Sequence, residues 1–355
     1  MKQIQDNLKV GIPNTLFAAY HLPYWQTFLT LCGMEAVTSD ATTQEMADRG
    51  GRLIPPEFCI PVKVFMGHVL NLLEKGVAQI LLPRMTAAKK ANFFCPKFIG
   101  LPEIVRFTMN LEERMFFAPE MICNGLNPKL IQFPTSARAS WGRMRQAENQ
   151  ARECWQRILE NCRKYRITLP EASAVGPTAV GLTAAGPTVV GSNALGTGVP
   201  ATGGGVHAPK PQNRLTVGLL GYAYSVYDPF ISKGLLGKLG QLQMTATTWE
   251  MLEPALIDQS LAGLKRPLFW NYGRMLLGAG LHFLADPAVD GIIYVSTFGC
   301  GPDSVATEIL NIEADHRHKP FLLINLDDHT EDAHLFTRLE AFADMLAALK
   351  EEQAV

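Results

Sequence analysis

From Ala172 to Pro209 the chain carries no side chain that is charged at pH 7. Gly, Ala, Pro, Thr and Val dominate this run, in a crude Val-Gly-Pro-Thr-Ala repeat. Burial of large apolar side chains offsets the ordering entropy of a packed core, and beyond Leu182 and Leu195 the run has none larger than valine to bury. It reads as a flexible linker, and it forces a division of the chain. The expected parts are an N-terminal domain over 1–168, a linker over 169–212 and a C-terminal domain over 213–355. A chain of 355 residues has room for two such domains, each with a sizeable core.

The blocks on either side of the linker resemble each other. The first opens Leu8-Lys9-Val10-Gly11-Ile12-Pro13, with Phe17, Tyr20, Tyr24 and Trp25 following. The second opens Leu215-Thr216-Val217-Gly218-Leu219-Leu220-Gly221, with Tyr222, Tyr224, Tyr227 and Phe230 following. Each reads as a buried strand, a glycine turn and a helix, 24–32 in the first and 229–239 in the second. Strands are then expected at 35–38 and 243–245, at 78–83 and 291–296, and finally at 320–326 before a C-terminal amphipathic helix over 335–350. Helices are also expected over 61–75 and 139–165. Strands alternating with helices predict an α/β fold of two Rossmann-like (flavodoxin-like) parallel-sheet domains. The apolar run Phe321–Ile324 suits a sheet buried on both faces. Ligands of such sheets bind beyond the carboxyl ends of the strands, which places the expected site in an interdomain cleft.

Three of the seven cysteines occupy unusual surroundings: Phe58-Cys59-Ile60-Pro61, Phe94-Cys95-Pro96-Lys97 and Phe298-Gly299-Cys300-Gly301-Pro302. Glycine lets the backbone approach a bulky group, and thiolates are the usual ligands of iron–sulfur clusters. One reading is that Cys59, Cys95 and Cys300 hold a single cluster and leave one iron open, in the way a catalytic zinc keeps an open position. The other is three free cysteines, since the chain has no Cys-x-x-Cys spacing. Cys32, Cys154 and Cys162 read as packing residues, and Cys123 as a candidate fourth ligand. The densest polar cluster, Asp327-Asp328-His329-Thr330-Glu331-Asp332, is either a proton-transfer or divalent-metal site or the capping turn of the last helix, with Thr330 or Asp332 as cap. His329 is the candidate there. His68 is a candidate for the surroundings of the cysteines, and His316 and His318 read as solvated.

Several function classes are excluded. No phosphate-binding Gly-x-x-x-x-Gly-Lys-Ser/Thr loop, no Gly-x-Gly-x-x-Gly after a strand and no Gly-x-Ser-x-Gly elbow occurs. The net charge of -1 gives no bias toward nucleic acid, and the arginines of 138–166 read as a solvated helix face. No apolar run suits a membrane span or a signal peptide, so a cytoplasmic protein is expected.

Several long motifs together carry a resemblance. They are Val10-Gly11-Ile12-Pro13, Pro56-Glu57-Phe58-Cys59-Ile60-Pro61-Val62-Lys63 with Gly67-His68, Leu82-Pro83-Arg84, and Cys95-Pro96-Lys97-Phe98-Ile99-Gly100-Leu101-Pro102-Glu103. Phe298-Gly299-Cys300-Gly301-Pro302-Asp303-Ser304 and Asp328-His329-Thr330 complete them. The chain resembles proteins related to 2-hydroxyacyl-CoA dehydratase and its activase, in particular the uncharacterised domain often fused to the activator ATPase. The resemblance implies a [4Fe-4S] cluster on Cys59, Cys95 and Cys300, or an [8Fe-9S] double cubane as in a distant branch. It implies low-potential electrons from an ATP-hydrolysing activase, and radical dehydration of a 2-hydroxyacyl-CoA or reduction of a related thioester. It also implies a homodimer or a related subunit. His329 and Arg84 are the candidates for moving protons or pairing with an anionic intermediate. An electron relay or a scaffold module is the alternative. Two departures are the missing nucleotide-binding domain and Asp328, where relatives tend to have glutamate.

Overall fold

The computed structural model describes residues 8–89, 92–122, 125–126, 141–175, 214–327 and 330–353. They form two compact units. The first runs to Asn161 and adds 169–175 and Phe269–Asn271. The second takes Cys162–Thr168, 214–268 and the described residues from Tyr272 on.

The first unit begins with β1 (Lys9–Ile12), α1 (Ala18–Leu31), β2 (Glu35–Thr38), α2 (Gln44–Gly51), α3 (Ile60–Glu74) and β3 (Gln79–Leu81). It continues through β4 (Arg84–Lys89), β5 (Asn92–Phe93), α4 (Pro96–Ile99), α5 (Leu101–Met109), β6 (Phe116–Phe117), β7 (Glu120–Ile122) and β8 (Gly125–Leu126). The long α6 (Trp141–Tyr165) and the short α7 (Leu169–Val175) close it. Strands β2-β1-β3-β6 make an all-parallel sheet. Val10, Ile12, Ile80 and Leu81 are fully buried, as expected for a parallel sheet flanked by helices. Helices α2 and α3 touch backbone to backbone. A Cβ on Gly67 would lie 2.0 Å from the Met46 carbonyl oxygen, and one on Gly50 2.0 Å from that of Lys63. On α6, Ala147, Ala151, Trp155 and Ile158 recur at helical spacing and are buried, and Trp155 meets Tyr20 of α1 edge-on at 4.7 Å. Arg152 and Arg157 pair along the helix with Glu148 and Glu153.

A second sheet, β5-β4-β7-β8, goes beyond what the sequence pattern implies. Its central pair is parallel and both outer pairs are antiparallel. The edge at β5 is extended by residues from far along the chain. The Phe93 N–H donates to the Phe269 carbonyl at 3.1 Å, Phe93 bridges Trp270, and the Phe93 and Phe269 rings stack at 4.8 Å.

In the second unit come β9 (Leu215–Gly221), α8 (Ala223–Val226), α9 (Leu235–Gln241), β10 (Met244–Thr248), α10 (Pro254–Ser260) and α11 (Asn271–Ala285). They are followed by β11 (Gly291–Thr297), α12 (Gly301–His316), β12 (Phe321–Leu326) and α13 (Asp332–Gln353). The sheet β10-β9-β11-β12 is all parallel and repeats the strand order of the first unit. The molecule is thus an α/β protein with two parallel sheets of one topology, as the repeated sequence blocks imply.

Three expectations change. The helix expected over 229–239 begins only at Leu235. Asp228 Oδ1 accepts the N–H groups of Phe230 and Ile231 in a local turn, and Lys233 and Gly234 are both left-handed. The run Phe321–Ile324 is not buried on both faces. It forms the sheet edge, and of its residues only Ile324 is buried. Residues 169–175, taken as the start of the linker, form α7, held by buried Leu169 and Ala172. The remainder of the expected linker, 176–212, lies outside the described residues.

Candidate metal centre

Each of the three singled-out cysteines is the N-cap of a helix, with proline at the first or second helical position. Cys59 caps α3 (φ -65°, ψ 151°), Cys95 caps the single turn α4 (φ -55°, ψ 140°) and Cys300 caps α12 (φ -84°, ψ 99°). Pro61, Pro96 and Pro302 fix the first turn, where a missing N–H costs nothing. The cap carbonyls accept the first helical bonds: Cys59 from Val62, Cys95 from Phe98 and Cys300 from Ser304. The Val62 N–H, in the first turn of α3, faces the Cys59 sulfur. A side chain at an N-cap, whether the oxygen of serine or aspartate or the sulfur of cysteine, sits in the positive field of the helix end. Gly299, at φ +75°, makes the turn that delivers Cys300 from the end of β11.

Cys59 and Cys95 lie within electrostatic reach of each other in the first unit. Burial pushes the Cys59 thiol up and the Cys95 sulfur adds to this, while the Lys97 ammonium and the Val62 N–H pull it down. Lys97 Nζ also stands 4.9 Å from the Phe58 ring centre. The Gly50–Gly67 contact fixes α3 and therefore Cys59. Cys95 is anchored from the other side by Arg84, whose Nη1 donates to the Ile99 carbonyl, the last of α4, at 2.8 Å, and whose Nη2 pairs with Glu103. That pairing holds the Glu103 carboxyl below its ordinary range. Arg84, a candidate for proton movement, is thus engaged as a strut under the Cys95 turn. Cys300 belongs to the second unit, on the all-parallel sheet that repeats the first.

Among the described residues, no group of three or more His, Cys, Asp and Glu is arranged to hold a metal ion. The donor chemistry of the cysteines nonetheless suits a thiolate-bound iron–sulfur group. His329 and Cys123 lie outside the described residues. Cys32 is buried, and burial pushes its thiol up to about 12 against the pull of Arg143. Cys154 receives a hydrogen bond from Thr27 at 3.7 Å and Cys162 is buried, in keeping with packing roles. His68 joins the loops that follow β1 and β2. Its Nδ1 contacts Ser39 Oγ at 2.7 Å and its Nε2 contacts Thr42 Oγ1 at 3.0 Å, while Ser39 Oγ accepts the Asn14 N–H. Burial lowers His68 to about 4, so it is neutral and structural. Thr330 does not cap α13; it exchanges hydrogen bonds with Asp327, closing a turn on β12, and Asp332 pairs with Lys238.

Two buried carboxyls carry no signature in the sequence. Asp303, in the first turn of α12, is 0% exposed and accepts a hydrogen bond from Tyr294 Oη. Burial raises it to about 6 against the pull of Ser296 and Tyr294. Glu250, just after β10, is also buried, and burial pushes it up to about 7 against the pull of Thr248 and Tyr227. Acidic residues beside loops read as solvated, and only the fold reveals the aromatic cover over these two.

No helix among the described residues is long and apolar enough to cross a membrane. Comparison with curated proteins finds no match. A protein-family model described as "CoA enzyme activase uncharacterised domain" matches residues 9–252, which include β1, the Cys59 and Cys95 turns and β10. The chain therefore belongs to this CoA enzyme activase-related family.

Proposed function

We propose that the chain is an iron–sulfur component of an activase-driven system of the 2-hydroxyacyl-CoA dehydratase type. Cys59, Cys95 and Cys300 would hold a [4Fe-4S] cluster, and an ATP-hydrolysing activase would be the electron-donating partner. The observation that carries this reading is the shared local geometry of the three cysteines: each is an N-cap followed by a proline-fixed first turn. Membership of an activase-related family supports the partner. Bound there, the cluster would supply single electrons and an open Lewis-acidic iron for dehydration or reduction of an acyl-CoA. The chain's own residues have separate tasks. The helix ends favour anionic sulfur, Lys97 sets positive charge beside Cys59, and Arg84 with Glu103 steadies the Cys95 turn. His329 is the proposed proton carrier.

The test is iron and acid-labile sulfide on protein purified without oxygen. About four of each per chain, lost on changing Cys59, Cys95 or Cys300 to Ala, is the expected result for a cubane. About eight irons would select the double-cubane alternative. A protein with no iron even after reconstitution would sink the reading and leave a scaffold module.

A further inference from the structure

Helices α3 and α12 begin on cysteines, yet they treat negative charge in the first turn differently. Helix α3 has no acidic residue there, and Lys97 stands beside its cap. Helix α12 has Asp303 at its third position. A carboxylate at that position ordinarily reaches back to the N-cap N–H and neutralises the positive helix end. Here the Cys300 N–H donates instead to the Thr297 carbonyl at 3.1 Å. Asp303 is turned inward, fully buried, with Oδ1 accepting from Tyr294 Oη of β11, itself fully buried. Ser296 also faces Asp303, and Tyr222 and Cys300 act electrostatically on Tyr294. The first turn of α3 thus holds no acidic residue, and in that of α12 a tyrosine draws the one acid inward.

We infer that the Tyr294–Asp303 hydrogen bond is a positioning device that holds this carboxylate off the first turn of α12 and reserves the positive helix end for the Cys300 sulfur. The inference rests on the reading of Cys300 as a functional sulfur. Its test reads the charge around that sulfur directly. The full-length chain, stripped of metal, is alkylated at one pH with anionic iodoacetate and with neutral iodoacetamide. Rates at Cys300 and Cys95 are resolved by peptide mass spectrometry. The ratio of the two rates at one sulfur cancels its thiolate fraction and reports local potential.

Tyr294→Phe frees the carboxylate and lowers the ratio at Cys300 about fivefold, the effect of one unit charge a few ångströms away in water, while the ratio at Cys95 stays constant. Adding Asp303→Asn to Tyr294→Phe restores the ratio, which repair of a merely structural defect would not do. A ratio unmoved by Tyr294→Phe, or lowered and not restored by the amide, overturns the inference. Asp303→Asn alone covers the case in which Tyr294→Phe does not fold. An unchanged ratio supports the inference, and a roughly fivefold rise shows that the carboxylate already faced the sulfur and overturns it. Absence of iron in the anaerobic protein removes the ligand reading and leaves the alkylation result intact, so the two failures are distinguishable.

Discussion

Two residues past α12, His318 stands in the left-handed region, at φ +52°, where its N–H bonds back to Asp315 and the Lys319 N–H to Ala314. The same closing pattern after α3 uses Gly76, at φ +66°. A residue with a Cβ pays about 1 kcal/mol for this conformation, and His318 is exposed. His318→Gly is therefore expected to raise stability by about 0.5–1 kcal/mol, seen as a higher urea midpoint at constant slope. Arg84→Ala is expected to act differently, leaving the Ile99 carbonyl and Glu103 without their partner. It should cost about 1–2 kcal/mol and speed alkylation of Cys95 relative to Cys300. At this scale the cysteines were legible because glycine and proline mark their turns. Arg84 was legible only as a cation, since the carbonyl that it braces comes fifteen residues later.

Helix α3 depends on a contact that admits no side chain at all. Gly67→Ala would drive a Cβ to 2.0 Å from the Met46 carbonyl oxygen, so α2 and α3 must part. The expected loss is about 3 kcal/mol or more, at the upper end for overpacked cores, read by urea unfolding; on the proposed cluster reading, iron content falls with it through the displaced Cys59 turn. The alternation of apolar strands and helices made both parallel sheets readable, nearly to the residue at 35–38. The second sheet of the first unit was not, because two of its strands are 2 residues long and carry no periodicity. Its edge pairing of Phe93 with 269–270 spans about half of the 355 residues, and a local pattern holds no information on such a partner.

Across the whole molecule, the two units answer pH in opposite senses. In the first, burial lowers His21 to about 3 and His68 to about 4, and ion pairs or hydrogen bonds lower Asp40, Glu74, Glu103 and Glu112. Each of these groups binds fewer protons folded than unfolded, so stability is lost as pH falls: below about 6.5 through the histidines, by up to about 1.4 kcal/mol per pH unit each, and only below about 4.5 through the carboxylates. In the second, Asp303 is raised to about 6 and Glu250 to about 7. Both bind protons more tightly when folded, so this unit gains stability over the same acid range and loses it as pH rises toward 7. Hydrogen exchange corrected for intrinsic rates is expected to show α1 and α3 opening more readily at pH 5 than at pH 7, with β9 and β11 opening less readily. Equal responses in the two units would refute the assignment. The return of Phe269–Asn271 to the first unit also imposes an order in time. As the chain leaves the ribosome, Cys59 and Cys95 emerge on a unit whose second sheet still lacks the residues that pair with Phe93. That edge stays open until residue 271 has been made, and Cys300 follows shortly after. Translation itself thus keeps the early cysteines waiting on an unfinished scaffold, and a nascent chain stopped at 168 is expected to aggregate through that open edge.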